Sequence, residues 1–251
     1  MAAAASYPDL VDAGVFITGG ATGIGAAFVE AFVAQGSRVV FNDLDTVSGS
    51  RLVAELGDRC HFVVCDASDP AALRSSIEEG ERLVGSLDVL VNNVANDRRE
   101  TFDTITPESW RTGFAVNLEP VVFASQAVLP AMAERGSGSI VNLSSLNAFL
   151  GPADLPTYTA AKAGMLGLTR TMARQYGPDG VRVNAIVPGW VATERQRRLW
   201  LSPGAEAAWK DQCALKGDLL PDDVANLALF LASSVSKMIT GQALVIDAGR
   251  I

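Results

Sequence analysis

Tyr158 and Lys162 are the residues whose types and spacing point most directly to proton chemistry. In Tyr158-Thr159-Ala160-Ala161-Lys162 they lie four positions apart, which puts them on one face of a helix, a turn from each other. A tyrosine hydroxyl has an ordinary pKa near 10, so service as a base near neutrality needs a downward shift of roughly two to three units, about 3 to 4 kcal/mol. A neighbouring ammonium favours the phenolate. Ser144-Ser145 closes an apolar run upstream and offers hydroxyls to whatever the pair faces. By itself such a pair is also what an ordinary helix face looks like. Histidine offers no rival base: His61 is the only one, in Cys60-His61-Phe62-Val63-Val64, which reads as a buried strand with a hydrogen-bonded structural imidazole.

A second constellation lies near the N-terminus. Val15-Phe16-Ile17-Thr18 runs straight into Gly19-Gly20-Ala21-Thr22-Gly23-Ile24-Gly25, after which Ala26, Ala27, Phe28, Ala31 and Phe32 recur at helical spacing. Glycines after a strand let the backbone approach a pyrophosphate, and the following helix offers it unpaired N–H groups and a partial positive charge. Asp43 closes the next apolar run about 20 residues further on, where an acid accepts both hydroxyls of an adenosine ribose. A 2′-phosphate there would meet Asp43, with no Arg or Lys in the glycine turn to offset the repulsion, so the expected cofactor is NAD and not NADP. Asp45 reads as a solvated loop acid. Asp66, before Ala67, is placed against the adenine edge, although a helix N-cap would produce a similar residue. Val91-Asn92-Asn93-Val94-Ala95-Asn96 ends another strand, so Asn92 and Val94 are expected where the chain turns over the cofactor.

The elements that must position these groups alternate along the chain. Strands are expected near Gly14 to Thr18, Arg38 to Asn42, Cys60 to Val64, Leu87 to Asn92, Ser139 to Leu143, Val181 to Val187 and Ala243 to Ile246. Helices fall at Gly23 to Gln35, Val47 to Leu56, Pro70 to Val84, Thr106 to Arg135 with at least one break, Thr157 to Tyr176 and Pro221 to Ala232. This pattern predicts the α/β class: a single-domain Rossmann fold over residues 1–251, with a doubly wound, seven-stranded parallel sheet flanked by helices. The irregular segment 188–221, rich in Trp, Arg and Gly, follows a strand's carboxyl end and reads as a substrate-binding lid.

Composition narrows the partners. The 251 residues are 49% hydrophobic and 19% charged, with a net charge of -8, which disfavours nucleic acid and anionic membrane alike. No stretch reads as a secretory signal or as the roughly 20 apolar residues of a membrane helix. The three cysteines, Cys60, Cys65 and Cys213, lack metal-ligand spacing and read as reduced thiols of a cytoplasmic protein without a metal site.

Thr18-Gly19, Gly23-Ile24-Gly25, Asp66, Asn92-Asn93, Asn117, Ser145, Tyr158 with Lys162, and Pro188-Gly189 with Thr193 occur in order and together resemble the short-chain dehydrogenase/reductase family over nearly the whole chain. The resemblance implies roles. Tyr158 would be the general base, and Lys162 would bind the nicotinamide ribose and lower the Tyr158 pKa. Ser145 would hydrogen-bond the substrate oxygen, leaving Ser144 a bystander, and Asn117 would hold a relay water. Pro188, Val191 and Thr193 would contact the nicotinamide and its amide or the phosphates. It also implies a homotetramer in which the helices of Asn117 and Tyr158 meet across subunits, although Val121, Val122, Phe123, Val128, Leu129, Met165 and Leu168 suit a monomer core equally. Two departures bear on backbone geometry: Ala95 stands at a family glycine, and Asp247-Ala248-Gly249 replaces Asp-Gly-Gly.

Within the family, Asn92 to Arg99 and Thr193 to Trp200 look like the aldose 1-dehydrogenase branch, most of all its D-xylose-like members. That implies oxidation of an aldose's anomeric hydroxyl to a lactone. Asn96, Asn147, Asp154 and Gln196 would supply donors and acceptors to a sugar beside Ser145 and Tyr158, with Glu194 near them; Trp190 and Trp200 could stack on its apolar face, and Trp209 would pack the lid. Arg195, Arg197 and Arg198 read equally as a solvated helix face or a subunit contact. Rival readings are a secondary-alcohol or 3-oxoacyl dehydrogenase using Leu146, Phe149 and Leu150 as an apolar wall, and a non-catalytic nucleotide-sensing regulator.

Overall fold

The computed structural model describes residues 5–200 and 202–251. Strand and helix alternate from the start: β1 (Gly14–Thr18), α1 (Gly23–Ala34), β2 (Arg38–Asp43), α2 (Thr46–Leu56), β3 (Cys60–Val64), α3 (Pro70–Val84) and β4 (Val89–Asn92). Then follow α4 (Pro107–Asn117), α5 (Glu119–Arg135), β5 (Gly138–Leu143), α6 (Asn147–Leu150), α7 (Pro156–Tyr176) and β6 (Val181–Pro188). The chain closes with α8 (Glu194–Leu199), α9 (Pro203–Asp211), α10 (Pro221–Ala232) and β7 (Ala243–Ile246). All seven strands are parallel in the order β3-β2-β1-β4-β5-β6-β7. The order reverses between β1 and β4, which opens a crevice at their carboxyl ends.

The unbroken apolar strands follow from burial on both faces. Side chains alternate along β1, so Val15 and Ile17 join Phe28, Phe32 and Leu229 on the side of α1 and α10. Phe16 turns the other way, against Leu73, Ile77, Val128 and Met132 from α3 and α5. Helix starts are written in short polar residues: Asp69 accepts from Ala71 N at 2.9 Å ahead of Pro70. Asp45 accepts from Ser48 N at 2.9 Å, so it caps α2 and is more than the solvated loop acid expected.

His61 departs from expectation. β3 lies at the sheet edge, paired with β2 alone, and its imidazole is half-buried and not sealed in a strand core. The stretch Pro107–Arg135 also departs, since by length and composition it would reach across a bilayer. Pro120 interrupts it: a proline can donate no bond to the residue four back and its ring clashes there, so the chain breaks at Leu118 (φ -130, ψ -44). Val121, Ala124, Val128, Leu129 and Met132 then bury against the sheet.

The segment expected to form a lid leaves the body after Val191 and returns at Leu219, where the two pair and Ala192 N donates to Leu219 O at 2.8 Å. Between them lie the short helices α8 and α9, held together by Asp218, which pairs with Arg197 at 2.7 Å and with Lys210. Beyond β7, Ala248 takes a left-handed φ of 60 where the family carries glycine, and its carbonyl accepts from Leu215 N at 2.9 Å, anchoring the lid's far end.

Candidate active site

The crevice is a cleft of about 1190 Å³ running from β2 and β3 across β1 to the lid. Its phosphate end is built from backbone. Gly19 adopts φ 69, and a Cβ on Gly25 would overlap the Gly19 carbonyl, so the turn packs directly against the start of α1. Asn93 fixes that turn, its Nδ2 donating to Gly19 O at 2.7 Å and Thr18 O at 3.0 Å. Thr22 makes no side-chain cap at the N-terminus of α1, which leaves the first amides of the helix without that partner. Thr193, from the lid, lies over Gly23. At the far end Asp43 accepts from Ala21 N at 3.0 Å and Leu44 N at 2.7 Å, which aims its carboxylate across the mouth of the turn. A strand-end acid, a glycine cradle and an uncapped helix form a site that fits a dinucleotide.

Of the residues expected at the cofactor, Gly19, Thr22, Gly23, Ile24, Gly25, Asp43, Asp66, Ala67, Val94, Tyr158, Lys162, Pro188, Val191 and Thr193 line this cleft. Asn92 does not. It is buried, and its Nδ2 donates to Asn142 Oδ1 at 2.8 Å, clipping β4 to β5, while its neighbour Asn93 takes the cleft side. Asp66 turns its carboxylate onto Ser68, accepting from its amide at 2.9 Å and its hydroxyl at 2.7 Å.

The chemical end is held by α7. Lys162 is 1% exposed, and its Nζ donates to Leu143 O at 2.7 Å while lying 5.7 Å from the Tyr158 ring centre. Ser144 has a structural task, donating to Lys162 O at 2.9 Å. Ser145 faces the cleft beside Tyr158 and accepts from Asn147 N at 3.2 Å. The expected downward shift of Tyr158 is absent: burial pushes its hydroxyl up to about 12, against the opposing influence of Ser145. Burial also pulls the Lys162 ammonium down to about 7. Taking both groups out of water outweighs the help one gives the other.

Asn117 does not line the cleft with its amide, which is buried and spent on the backbone of Asn96. The break after it sends Val121 N to Leu118 O at 3.1 Å instead of to the Asn117 carbonyl. Of the expected substrate residues, Asn96, Ser145, Asn147, Tyr158, Trp190 and Gln196 line the cleft. Asp154 does not, being paired with Arg99. Trp200 lies under the Arg99 guanidinium, 4.2 Å from its ring centre, and not in the cleft. Trp209 packs edge-on against Trp190 with 5.7 Å between ring centres, inside the lid as expected.

Asp97 was not foreseen. It lines the cleft, pairs with Arg195 and accepts from Gln196 Nε2 at 2.8 Å, while Trp190 Nε1 donates to Gln196 Oε1 at 2.8 Å. Arg195 therefore has a partner within this chain, while half of its side chain stays exposed to solvent.

The chain matches, over residues 19–250, the family model described as Enoyl-(Acyl carrier protein) reductase. It is 45% identical to the "Probable galactose dehydrogenase GalD" of Rhizobium meliloti, covering 97% of this chain and 96% of that protein. It is 41% identical to the D-xylose 1-dehydrogenase of Caulobacter vibrioides, covering 98% of each. Among solved structures, the 3-oxoacyl-[acyl-carrier protein] reductase of Brucella melitensis superposes with a TM-score of 0.91 at 30% identity, covering 98% of this chain and 94% of that one.

Proposed function

The chain belongs to the short-chain dehydrogenase/reductase family and is an oxidoreductase of CH–OH donors using a nicotinamide cofactor; from that premise we propose that it oxidises the anomeric hydroxyl of an aldose to the lactone, with NAD as acceptor. The observation that carries this reading is the polar rim around Tyr158, where Asn96, Asp97, Asn147 and Gln196 line the cleft beside Trp190. The sugar dehydrogenases at 45% and 41% identity support it.

Tyr158 accepts the proton of the anomeric hydroxyl, and Ser145 donates a hydrogen bond to the same oxygen. Lys162, held on Leu143 O, would bind the nicotinamide ribose. The Asn117 carbonyl, freed by the helix break, holds a water that carries the proton onward. The oxidised nicotinamide supplies the hydride acceptor and a positive charge that favours the phenolate. Positioning is the protein's contribution.

Asp43 supports NAD over NADP, since a 2′-phosphate would face a carboxylate fixed on Ala21 N. We also infer a cytoplasmic homotetramer. Val121, Val128, Leu129 and Met165 are absorbed by the monomer core, which leaves exposed Val122 and half-buried Phe123 and Leu168 for a contact between subunits. Light scattering tests the tetramer. The 3-oxoacyl reading finds less support: Leu146 lines the cleft, but Phe149 and Leu150 face solvent.

The deciding experiment is a panel of pentoses, hexoses, aliphatic alcohols and oxoacyl thioesters, each with NAD and NADP and read by NAD(P)H absorbance. Sugar-dependent NADH formation is expected. A strong thioester signal without any sugar signal overturns the reading. Tyr158→Phe is expected to abolish turnover and leave NADH binding nearly intact.

A further inference from the structure

Asp97 is an unusual group to find in a cleft that must accept a neutral substrate. Its side chain is only 15% exposed, and it shares the cleft with Tyr158, Asn96, Trp190 and Gln196. One carboxylate oxygen takes Arg195 and the other takes Gln196 Nε2 at 2.8 Å. An ionised carboxylate accepts about four hydrogen bonds, two per oxygen, so beyond its single side-chain partner each oxygen retains acceptor capacity. Two such oxygens on one fixed group can serve two adjacent hydroxyl donors.

The group is rigid from both sides. Asn117 clamps the backbone of Asn96, the residue before it, through bonds of 2.8 and 3.1 Å. Gln196 is held in turn by Trp190, which rests edge-on against Trp209. Although burial works against the charge, the hydrogen bonds from Arg195 and Gln196 hold Asp97 below the usual carboxylate range.

We propose that Asp97 determines substrate specificity by accepting two neighbouring hydroxyls of the sugar, a vicinal diol, while the anomeric hydroxyl meets Tyr158. This inference rests on the aldose reading above and names the feature of the sugar that the cleft selects. An alkyl or acyl chain in the same position would strip water from the carboxylate and return no donor, a cost paid only by substrates lacking the diol. Arg195 and Gln196 both come from α8, so diol recognition and the seated lid are one arrangement.

The test pairs variants with substrates. The substrates are the best aldose, its monodeoxy derivatives, and tetrahydropyran-2-ol, which keeps the anomeric hydroxyl and lacks the others. In the wild type, removal of either of two adjacent hydroxyls is expected to lower kcat/KM about ten-fold or more, the scale of a hydrogen bond to a charged group. Asp97→Asn, which also gives up the charge facing Arg195, is expected to lose roughly 10- to 100-fold more on the aldose than on tetrahydropyran-2-ol, and to bind NADH as before. Equal losses of Asp97→Asn on both substrates would make the residue a lid latch and overturn the proposal, as would no loss on either. Arg195→Met, which loosens the lid from its own side, is expected to lower both substrates in parallel. Should Asp97→Asn fail to fold, the deoxy series in the wild type decides: two adjacent sensitive positions support the inference, and none, or two that are not adjacent, refutes it. A wild type that oxidises no aldose removes the aldose reading and this inference with it. A wild type that does, without the pattern described, removes this inference alone.

Discussion

Asn117 and Asn96 hold each other by two hydrogen bonds: Asn117 Oδ1 accepts from Asn96 N at 2.8 Å, and Asn117 Nδ2 donates to Asn96 O at 3.1 Å. The side chain also donates to Gly113 O at 2.9 Å, so its amide is fully committed within the protein. What Asn117 contributes to the site is a fixed path for the loop that carries Asp97.

Asn117→Ala is therefore expected to lower stability by about 1 to 3 kcal/mol, because it removes two part-buried hydrogen bonds to the Asn96 backbone, each worth roughly 0.5 to 1.5 kcal/mol. Urea unfolding measures this. A variant of wild-type stability that had lost only turnover would return the side chain to a purely water-holding role.

In the ligand-free protein Tyr158 is held neutral, pushed up to about 12 by burial. Ultraviolet difference titration against Tyr158→Phe is expected to show no phenolate from this residue below pH 10, and an earlier titration once oxidised cofactor is bound. In turnover with saturating cofactor, log kcat/KM for oxidation is expected to rise with pH, approaching a ten-fold gain per pH unit below the pKa of the base. A profile flat from acid to alkaline pH would show that another group takes the proton.

The strands were legible because each apolar run is bounded by turn residues and the central ones are buried on both faces; β1, β3 and β7 begin and end where the sequence places them. The starts of α3 and α10 were marked by Pro70 and Pro221. Which of Asn92 and Asn93 faces the cleft was not legible, since alternation at a strand's end depends on where the strand stops. The Asp97–Arg195 pair joins positions 98 apart, and nothing local to either announces it. The electrostatics of Tyr158 and Lys162 in the ligand-free protein were not legible for a similar reason: spacing shows that they are neighbours, but their burial is a property of the assembled fold.

Asp43→Asn keeps the shape of the acceptor on Ala21 N and removes its charge. The expected result is a fall of at least about ten-fold in the preference for NAD over NADP in kcat/KM. That is a modest share of the roughly 4 kcal/mol felt by two unit charges 4 Å apart near a protein surface. An unchanged ratio in steady-state assays with both cofactors would move the discrimination to another residue.

Lys162 makes the stability of the ligand-free protein rise with pH, the same direction as a carboxylate whose folded pKa is depressed, but in an alkaline window. The unfolded chain keeps its ammonium up to the ordinary value of 10.5, while burial makes the folded protein release that proton near 7. Between these values unfolding takes up a proton, so stability rises with pH by at most about 1.4 kcal/mol per unit, and the penalty is fully present below about 7. Tyr158 acts only above this window: its folded value near 12 exceeds the ordinary 10, so it costs stability as pH climbs beyond 10. Lys162→Met removes the first effect and keeps the second. The urea midpoint of the wild type, taken relative to that of Lys162→Met, is expected to climb from pH 7 to pH 10. Parallel curves for the two proteins would mean that the ammonium stays charged in the folded state, held by Leu143 O and by neighbours that compensate its burial.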